Sequence, residues 1–418
     1  MKENTDITLK QIIQVIHRAI NSVDQRLLNH GERVAYVMLN LLRAEENYSK
    51  DEILEICTLS IFHDIGAYKV SERDKLVEID TKSPIDHAIY GCLFIKYFSP
   101  LSKLYNIVLS HHFTMKYYKD NKMEVFCEEG LLLSFADYID RIYLIKKELT
   151  VNYIINNNKE YSLEYMELLI SADKKYNFIN KLLDGSYLKE LYDFFATKVI
   201  SREEVLSYSK MLAYSIDFRS EATVKHTIFV EAVSYQIAKL LKLDDKTLTQ
   251  IKIAAALHDI GKIGIPVEIL EKPGKLSNDE FEIMKSHAII GYKILSDLNI
   301  DDIRDMAALH HEKIDGTGYP FGLKGNDLTL EMRIISIGDI ISALLGVRSY
   351  KEEFSKDRVI KILSNMAKYN KIDSNITKLF IENYDYIIEK ATNESSDLMN
   401  TYLSLNNEYL KILDYFKY

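Results

Sequence analysis

Ten of the eleven histidines in this 418-residue chain fall on one ordered series of motifs, and the chain runs through that series twice. His63-Asp64-Ile65-Gly66 recurs as His258-Asp259-Ile260-Gly261, His87-Ala88-Ile89-Tyr90-Gly91 as His287-Ala288-Ile289-Ile290-Gly291, and His111-His112 as His310-His311. An upstream histidine (His30, His226) and a late aspartate (Asp137, Asp339) frame each series. The offsets are 196 (His30 to His226), 195 (His63 to His258), 200 (His87 to His287), 199 (His111 to His310) and 202 (Asp137 to Asp339). Order and spacing therefore persist across a whole unit, which requires two copies of one domain. Histidines placed singly for packing would scatter, and only His17 stands outside the series.

Punctuation decides what each copy folds into. Five prolines and fifteen glycines leave long stretches with apolar residues at three- and four-residue spacing, the pattern of amphipathic helices. The chain is expected to be all-α, two tandem helical domains related by internal duplication, one over residues 1–200 and the other over 201–418. Ser201-Arg202-Glu203-Glu204 is a capping-box pattern at that boundary, and no Gly/Ser- or Pro-rich linker precedes it, which predicts a helical connection. Ser277-Asn278-Asp279-Glu280 opens another helix, with an inward stripe of Phe281, Met284, Ala288, Gly291, Ile294 and Leu295 that also contains His287. Residues beyond about 370 read as terminal helices without visible chemistry.

Charge narrows the partners. A net charge of -9 and a pI near 5.7 argue against a nucleic-acid polymer or an anionic membrane surface, so phosphate binding must be local. The opening residues lack the apolar segment of a signal peptide and no run of about 18 apolar residues occurs, which predicts a cytoplasmic protein with no membrane span. Cys57, Cys92 and Cys127 are widely spaced and form no C-x-x-C pair, so reduced, buried thiols are expected.

Imidazole and carboxylate together suit iron, manganese or zinc, and the lack of cysteine ligands disfavours a thiolate site. In a His-Asp pair the aspartate can bridge two ions. Two ions roughly 3.5–4 Å apart activate a hydroxide and clamp the attacked phosphate, which favours phosphodiester hydrolysis. Lys262, directly after His258-Asp259-Ile260-Gly261, places a cation beside those ligands. Downstream, Asp315-Gly316-Thr317-Gly318 forms a turn-rich loop in which Pro320 restricts Tyr319 to extended backbone. Asp315 is assigned the orienting of a ligand or of the attacking water.

The second half, over roughly residues 215–355, resembles the HD-GYP subgroup of HD-domain phosphohydrolases, through HDIGK, HAIIG, HHEKIDGTGYP and Asp339. The resemblance implies a helical enzyme that binds two or three metal ions and opens bacterial cyclic dinucleotides, chiefly cyclic di-GMP, by attack of a metal-activated hydroxide. Tandem members with the lead-in Asp217-Phe218-Arg219-Ser220 also act on 3′,3′-cyclic GMP-AMP. It makes His226, His258, Asp259, His287, His310, His311 and Asp339 the metal ligands. It also makes Lys262, Arg348 and Lys351 the grip on substrate phosphate, and Tyr319 the tyrosine of the GYP loop. Three-metal members carry a Glu four residues before the first histidine, where this chain has Ala222, so two ions, iron or manganese, are expected.

The first copy keeps a full ligand set (His30, His63, Asp64, His87, His111, His112, Asp137) without the substrate features. Ala67 replaces the lysine, Phe113-Thr114-Met115-Lys116-Tyr117-Tyr118 replaces the GYP loop, and Leu149 replaces the second late cation although Lys146 keeps the first. That copy reads as a metal-capable regulatory or homodimerising domain. Two other functions compete with the phosphodiesterase, a non-catalytic metal- or cyclic-dinucleotide-binding sensor and an HD phosphohydrolase of linear nucleotides. Lys262 and the Asp315–Pro320 loop favour the phosphodiesterase.

Overall fold

The computed structural model describes residues 7–21, 29–68, 85–113, 127–146, 149–217, 221–346 and 354–416. Among these residues the chain is helical, and its one extended pairing is an isolated antiparallel bridge between Thr8 and Val199. It divides into two compact units: Met1–His17, Asp24–Ser201 and Glu408–Tyr418 form the first, and Arg18–Val23 with Arg202–Asn407 form the second.

Each unit repeats one packing scheme. In the first, the His30–Glu45 helix packs on the Lys50–Ile61 and Glu128–Lys146 helices, and the Ile85–Phe98 helix packs on the turn Ile65–Tyr68 and on Tyr105–Ser110. In the second, Glu221–Leu240 packs on Asp245–Leu257 and Leu330–Leu345, while Asn278–Leu295 packs on the turn Ile260–Gly264 and on Asp301–Ala308. The His30–Glu45 helix is buried without a break from Glu32 to Leu42, as a helix surrounded on all sides must be. Side-chain caps fix where several helices begin: Ser49 with Glu52 and Ser277 with Glu280 form reciprocal capping boxes, and the Thr329 side chain accepts from Met332 N.

The His-Asp pair sits where a helix gives way to a 3₁₀ turn, and a glycine sets how close that turn lies to its neighbour. A Cβ on Gly261 would stand 1.9 Å from His287 O and 2.6 Å from Gly291 N; on Gly66 it would stand 2.1 Å from His87 O and 2.4 Å from Gly91 N. Only glycine lets the turn lie flush on the helix that carries the next histidine, which explains the pairing of HDIG with H-x-x-x-G in both copies. At Gly338 a Cβ would meet Ser234 Oγ at 2.2 Å, so this glycine brings the Asp339 helix close to the helix of His226.

Three features depart from the sequence expectations. Phe281 heads the supposed inward stripe but is 49% exposed, and Met284 is only half-buried, because the helix buries its face from His287 onward. The connection before Arg202 is extended rather than helical: Leu9 N donates to Lys198 O (2.9 Å) and Ile200 N to Ile7 O (3.0 Å), which draws residues 198–200 into pairing with the N-terminal segment. The terminal helix Tyr384–Phe416 does not stay with the second unit over its whole length. Tyr409 stacks on Tyr90 with ring centroids 4.4 Å apart and donates to Asp86 (2.5 Å), and Glu408 accepts from Lys96 and Tyr97, so the last turns join the first unit. The cysteines are free thiols, Cys57 and Cys92 buried and Cys127 partly so, and no described helix is long and apolar enough to cross a membrane.

The close approach at the turns is testable. Gly66→Ala and Gly261→Ala should each destabilise their own unit by at least about 1–3 kcal/mol, because backbone must move to admit the methyl. Thermal unfolding should show a lower midpoint for each variant, and an unchanged midpoint would contradict the packing described.

Candidate metal centre

In the second unit three helices, carrying His226, His287 and Asp339, and two turns, carrying His258-Asp259 and His310-His311, bring the predicted ligands together. His226 Nε2 lies 3.2 Å from Asp339 Oδ1, His258 Nε2 3.1 Å from Asp259 Oδ2, and His287 Nε2 3.5 Å from Asp259 Oδ1. The rings of His258 and His310 are 4.9 Å apart, those of His287 and His311 5.0 Å, and those of His310 and His311 3.9 Å. His311 Nδ1 is 3.8 Å from Asp339 Oδ2. The donor atoms gather into two groups, His226-His258-Asp259 and His287-His310-His311, with the atoms of each group within 4.8 Å of one another. Asp259 turns one oxygen toward His258 and the other toward His287.

The tautomers follow from the partners. His258 Nδ1 donates to Ala255 O (2.8 Å), His287 Nδ1 to Met284 O (2.7 Å) and His310 Nδ1 to Ala307 O (2.7 Å); a carbonyl can only accept, so Nδ1 carries a proton in all three and Nε2 is the atom turned toward the other donors. Ser342 Oγ donates to His226 O (3.2 Å) and thereby accepts from His226 Nδ1 (2.9 Å), leaving His226 protonated at Nδ1 as well. At His258 burial opposes the charged form, but Asp259 prevails and raises the ring to about 9. Burial pushes His287, His310 and His311 down, His311 to about 3 against the opposing pull of Asp339, so these rings are neutral donors. Asp259 is held well below the carboxylate range: burial works against its charge, but His258 and Lys262 prevail.

These residues fit a divalent ion on structural grounds. The Nε2 atoms of His258, His287 and His310 are buried with no hydrogen-bond partner, an arrangement that costs free energy unless something fills it. Donors bound about 2.1 Å from one ion stand roughly 3.0–3.4 Å apart in octahedral or tetrahedral geometry. The carboxylate–imidazole separations of 3.1–3.5 Å have that spacing.

Lys262 does reach this centre. Its ammonium pairs with Asp259 Oδ2, and although burial opposes its charge, Asp259 and Asp217 raise its pKa. Asp217, from the lead-in, is buried and accepts from Thr227 Oγ1 at 2.6 Å. The GYP loop is adjacent: the Tyr319 ring lies 4.7 Å from that of His311, its N–H donates to His311 O (3.3 Å), and the Tyr319–Pro320 bond is cis. Asp315 Oδ1 accepts from Thr317 N (3.0 Å) and Thr317 Oγ1 (2.7 Å), which shapes the loop beside the histidine pair.

Sequence reasoning passed over Glu312. It is buried, and its carboxylate accepts from three successive backbone N–H groups, Phe321 (2.7 Å), Gly322 (3.1 Å) and Leu323 (3.0 Å), which closes the loop against the His310-His311 pair. A charged residue between a histidine pair and a glycine-rich loop was the available signal. Ser342 was also missed, and its place one helical turn after Asp339 was the clue. Arg348, Lys351 and Phe218-Arg219-Ser220 lie outside the described residues, as do the side chains of Glu221 and Lys146; Ala222 is exposed and has no donor to offer.

The first unit assembles its seven residues in the same way. Asp64 belongs to two groups of donor atoms, one with His30 and His63 and one with His87, His111 and His112. His30 Nε2 is 3.3 Å from His63 Nε2, and Asp64 lies 3.3–3.6 Å from His30, His63, His87 and His111. His63 Nδ1 donates to Ser60 O and His111 Nδ1 to Val108 O. Asp140 takes the place of Ser342, accepting from His30 Nδ1 at 2.7 Å and from Arg33. His17 joins no ligand group; it bonds Asn29 and pairs with Glu32.

Loss of the hydroxyl behind His226 should loosen that ring without removing a donor. Ser342→Ala is expected to lower metal affinity about 10–100-fold, read by metal titration of the folded protein, and unchanged affinity would mean that the hydroxyl does not orient the ligand.

Comparison with known proteins identifies the domains. Residues 27–142 and residues 209–376 each match the HD domain. The chain is 26% identical to a 3′,3′-cGAMP-specific phosphodiesterase of Vibrio cholerae, an alignment that covers 93% of this chain and 95% of that protein. It is 34% identical to a cyclic di-GMP phosphodiesterase of Thermotoga maritima across 50% of this chain and 60% of that one. The crystal structure of a cyclic GMP-AMP-specific phosphodiesterase of Vibrio cholerae shares the fold, with a TM-score of 0.55 at 16% identity, over 93% of this chain and 98% of that chain. With one HD domain in each unit and the GYP loop closed against the histidine pair of the second, the chain is a tandem HD-domain protein of the HD-GYP family.

Proposed function

We propose that the second unit is a metal-dependent phosphodiesterase that opens a bacterial cyclic dinucleotide, cyclic di-GMP or 3′,3′-cyclic GMP-AMP. One observation carries the reading: three buried imidazole nitrogens without hydrogen-bond partners converge with two carboxylates beside Lys262 and Tyr319. The two groups of donor atoms, with Asp259 turned toward both, support two ions rather than three, and nitrogen–oxygen donors suit iron or manganese. The near-full-length similarity to a 3′,3′-cGAMP-specific enzyme favours a mixed guanine-adenine substrate.

When bound, the ions supply Lewis acidity and a water acidic enough to attack near neutral pH. The protein does the rest by holding groups in place. Backbone carbonyls fix the ring orientations of His258, His287 and His310, and Ser342 fixes His226. Lys262 keeps a buried positive charge beside Asp259, where it offsets the charge that builds on the attacked phosphate. Glu312 holds the loop so that Tyr319 lies alongside His311, bounding one side of the site. Arg348 and Lys351 complete the phosphate grip on sequence grounds. The first unit, with Ala67 in place of the lysine, serves as a regulatory or dimerising domain. The nearness of Lys262 and the GYP loop to the ligands favours this enzyme over a sensor without turnover.

Incubating the iron- or manganese-loaded chain with each cyclic dinucleotide and separating the products tests the proposal; no linear product from either would defeat it. Asp259→Asn and His258→Ala should each reduce cleavage by at least about a hundredfold. Lys262→Ala should also impair cleavage while metal content stays the same, since an ammonium cannot ligate a metal, and a parallel loss of metal would reassign its role. The double change His63→Ala with Asp64→Asn should leave most hydrolysis intact, and its abolition with the second unit's metal preserved would reject the division of labour.

A further inference from the structure

Arg141 stands beside the donor cluster of the first unit, four residues after Asp137, where the second copy has Ala343. Its Nη2 lies 2.6 Å from Asp137 Oδ2 and 3.5 Å from His112 Nδ1, and the side chain is 49% exposed, so the guanidinium borders the ligand set and also faces solvent. Its Nε and Nη1 make no hydrogen bond among the described residues. Nearby, His111 Nε2, Asp64 Oδ1 and Asp137 Oδ1 are buried without a hydrogen-bond partner. Asp137 therefore faces two claims, with Oδ2 on Arg141 and Oδ1 3.4 Å from His30 Nε2.

Charge and shape indicate what such a site accepts. A single divalent ion among these residues would balance Asp64 and Asp137 and leave the guanidinium unmatched, so the assembled site attracts an anion. A guanidinium fork pairs best with two oxygens of one planar or tetrahedral group. A phosphomonoester offers three terminal oxygens, enough to reach an ion and both arms of the fork, whereas a diester offers two. Ala67 provides no counterpart of Lys262, which favours retention over cleavage.

We propose that the first unit is a metal-dependent binding site for a phosphomonoester, in which an ion draws on Asp137 and Arg141 turns its guanidinium to the phosphate. Two sources carry this chemistry, inorganic phosphate and a linear dinucleotide with a terminal phosphate. The second source rests on the proposed activity, because hydrolysis of a cyclic diester necessarily leaves one terminal monoester; the ligand class itself does not.

The test uses the full chain carrying His258→Ala and Asp259→Asn, which disables the second centre, loaded with Mn²⁺ and titrated calorimetrically with inorganic phosphate. Binding should require Mn²⁺, weaken about tenfold or more in Arg141→Ala, and recover in part in Arg141→Lys, with Mn²⁺ uptake by the first unit unchanged. Phosphate binding that is indifferent to Arg141 or to Mn²⁺ overturns the proposal, as does a first unit that takes up no Mn²⁺. Tighter binding of a 5′-phosphorylated linear dinucleotide supports a product site, and equal binding supports inorganic phosphate. A cyclic dinucleotide bound equally well, with the same dependence on Arg141, overturns the ligand class. Should the disabled chain not fold, Mn²⁺-induced broadening of the phosphate ³¹P resonance with the otherwise unmodified chain should fall in Arg141→Ala, and no change would count against the site. Product formation by the unmodified chain is a separate measurement, so either proposal can fail alone.

Discussion

One hydrogen bond, repeated in both units, sets the state of the whole centre: a histidine Nδ1–H donating to the backbone carbonyl three residues earlier. His63, His111, His258, His287 and His310 all make it, to Ser60, Val108, Ala255, Met284 and Ala307. Four of these histidines stand within two residues of the end of a helix, where the last carbonyls have no backbone donor. The bond therefore satisfies a stranded carbonyl and fixes the imidazole tautomer at once. It also turns the Nε2 atoms inward, and those of His111, His287 and His310 are buried without a hydrogen-bond partner, a cost that a cation between them would relieve. Those helix C-termini carry partial negative charge of their own, which favours the same cation.

That device lies in the backbone, and so the two copies could diverge around it without losing the donor set. Behind the first histidine, a serine hydroxyl in the second unit is matched by the Asp140 carboxylate in the first, and Arg33 is recruited to balance it. One residue further along, Ala343 is matched by Arg141, which places a cation on the helix of the late aspartate instead of on the His-Asp turn. Both units thus keep one positive side chain beside an aspartate of the centre, Lys262 on Asp259 and Arg141 on Asp137, but they approach it from different sides.

Much of this was legible in the sequence because the motifs are local and the duplication checks them against each other. The ligand residues named from HDIG, H-x-x-x-G and the histidine pairs are brought together in both units, and the Ser277–Glu280 capping box forms where its pattern stands. What escaped depends on distance in the chain or on which face a helix buries. Phe281 matches the apolar period yet lies beyond the point where its helix meets the core. The return of Glu408 and Tyr409 to the first unit pairs residues more than 300 positions apart, which periodicity cannot encode. The turn that Asp315 makes with Thr317 N also went unremarked, although an aspartate two residues before a threonine N–H readily forms one.

Glu312 explains how the donors of a metal centre can persist without the loop. It adjoins His311 in sequence, so the residue that anchors the loop is set by the same backbone that positions the ligand. Three N–H groups of the loop converge on its carboxylate, and once buried they need an acceptor. The matching residue in the first unit is Phe113, buried and apolar, which can accept none of them. A loop closed in the manner of the second unit therefore has no acceptor there, even with both adjacent histidines retained. Replacing that one carboxylate with a phenyl ring leaves the donors of the metal centre in place while removing the acceptor that holds the loop against them.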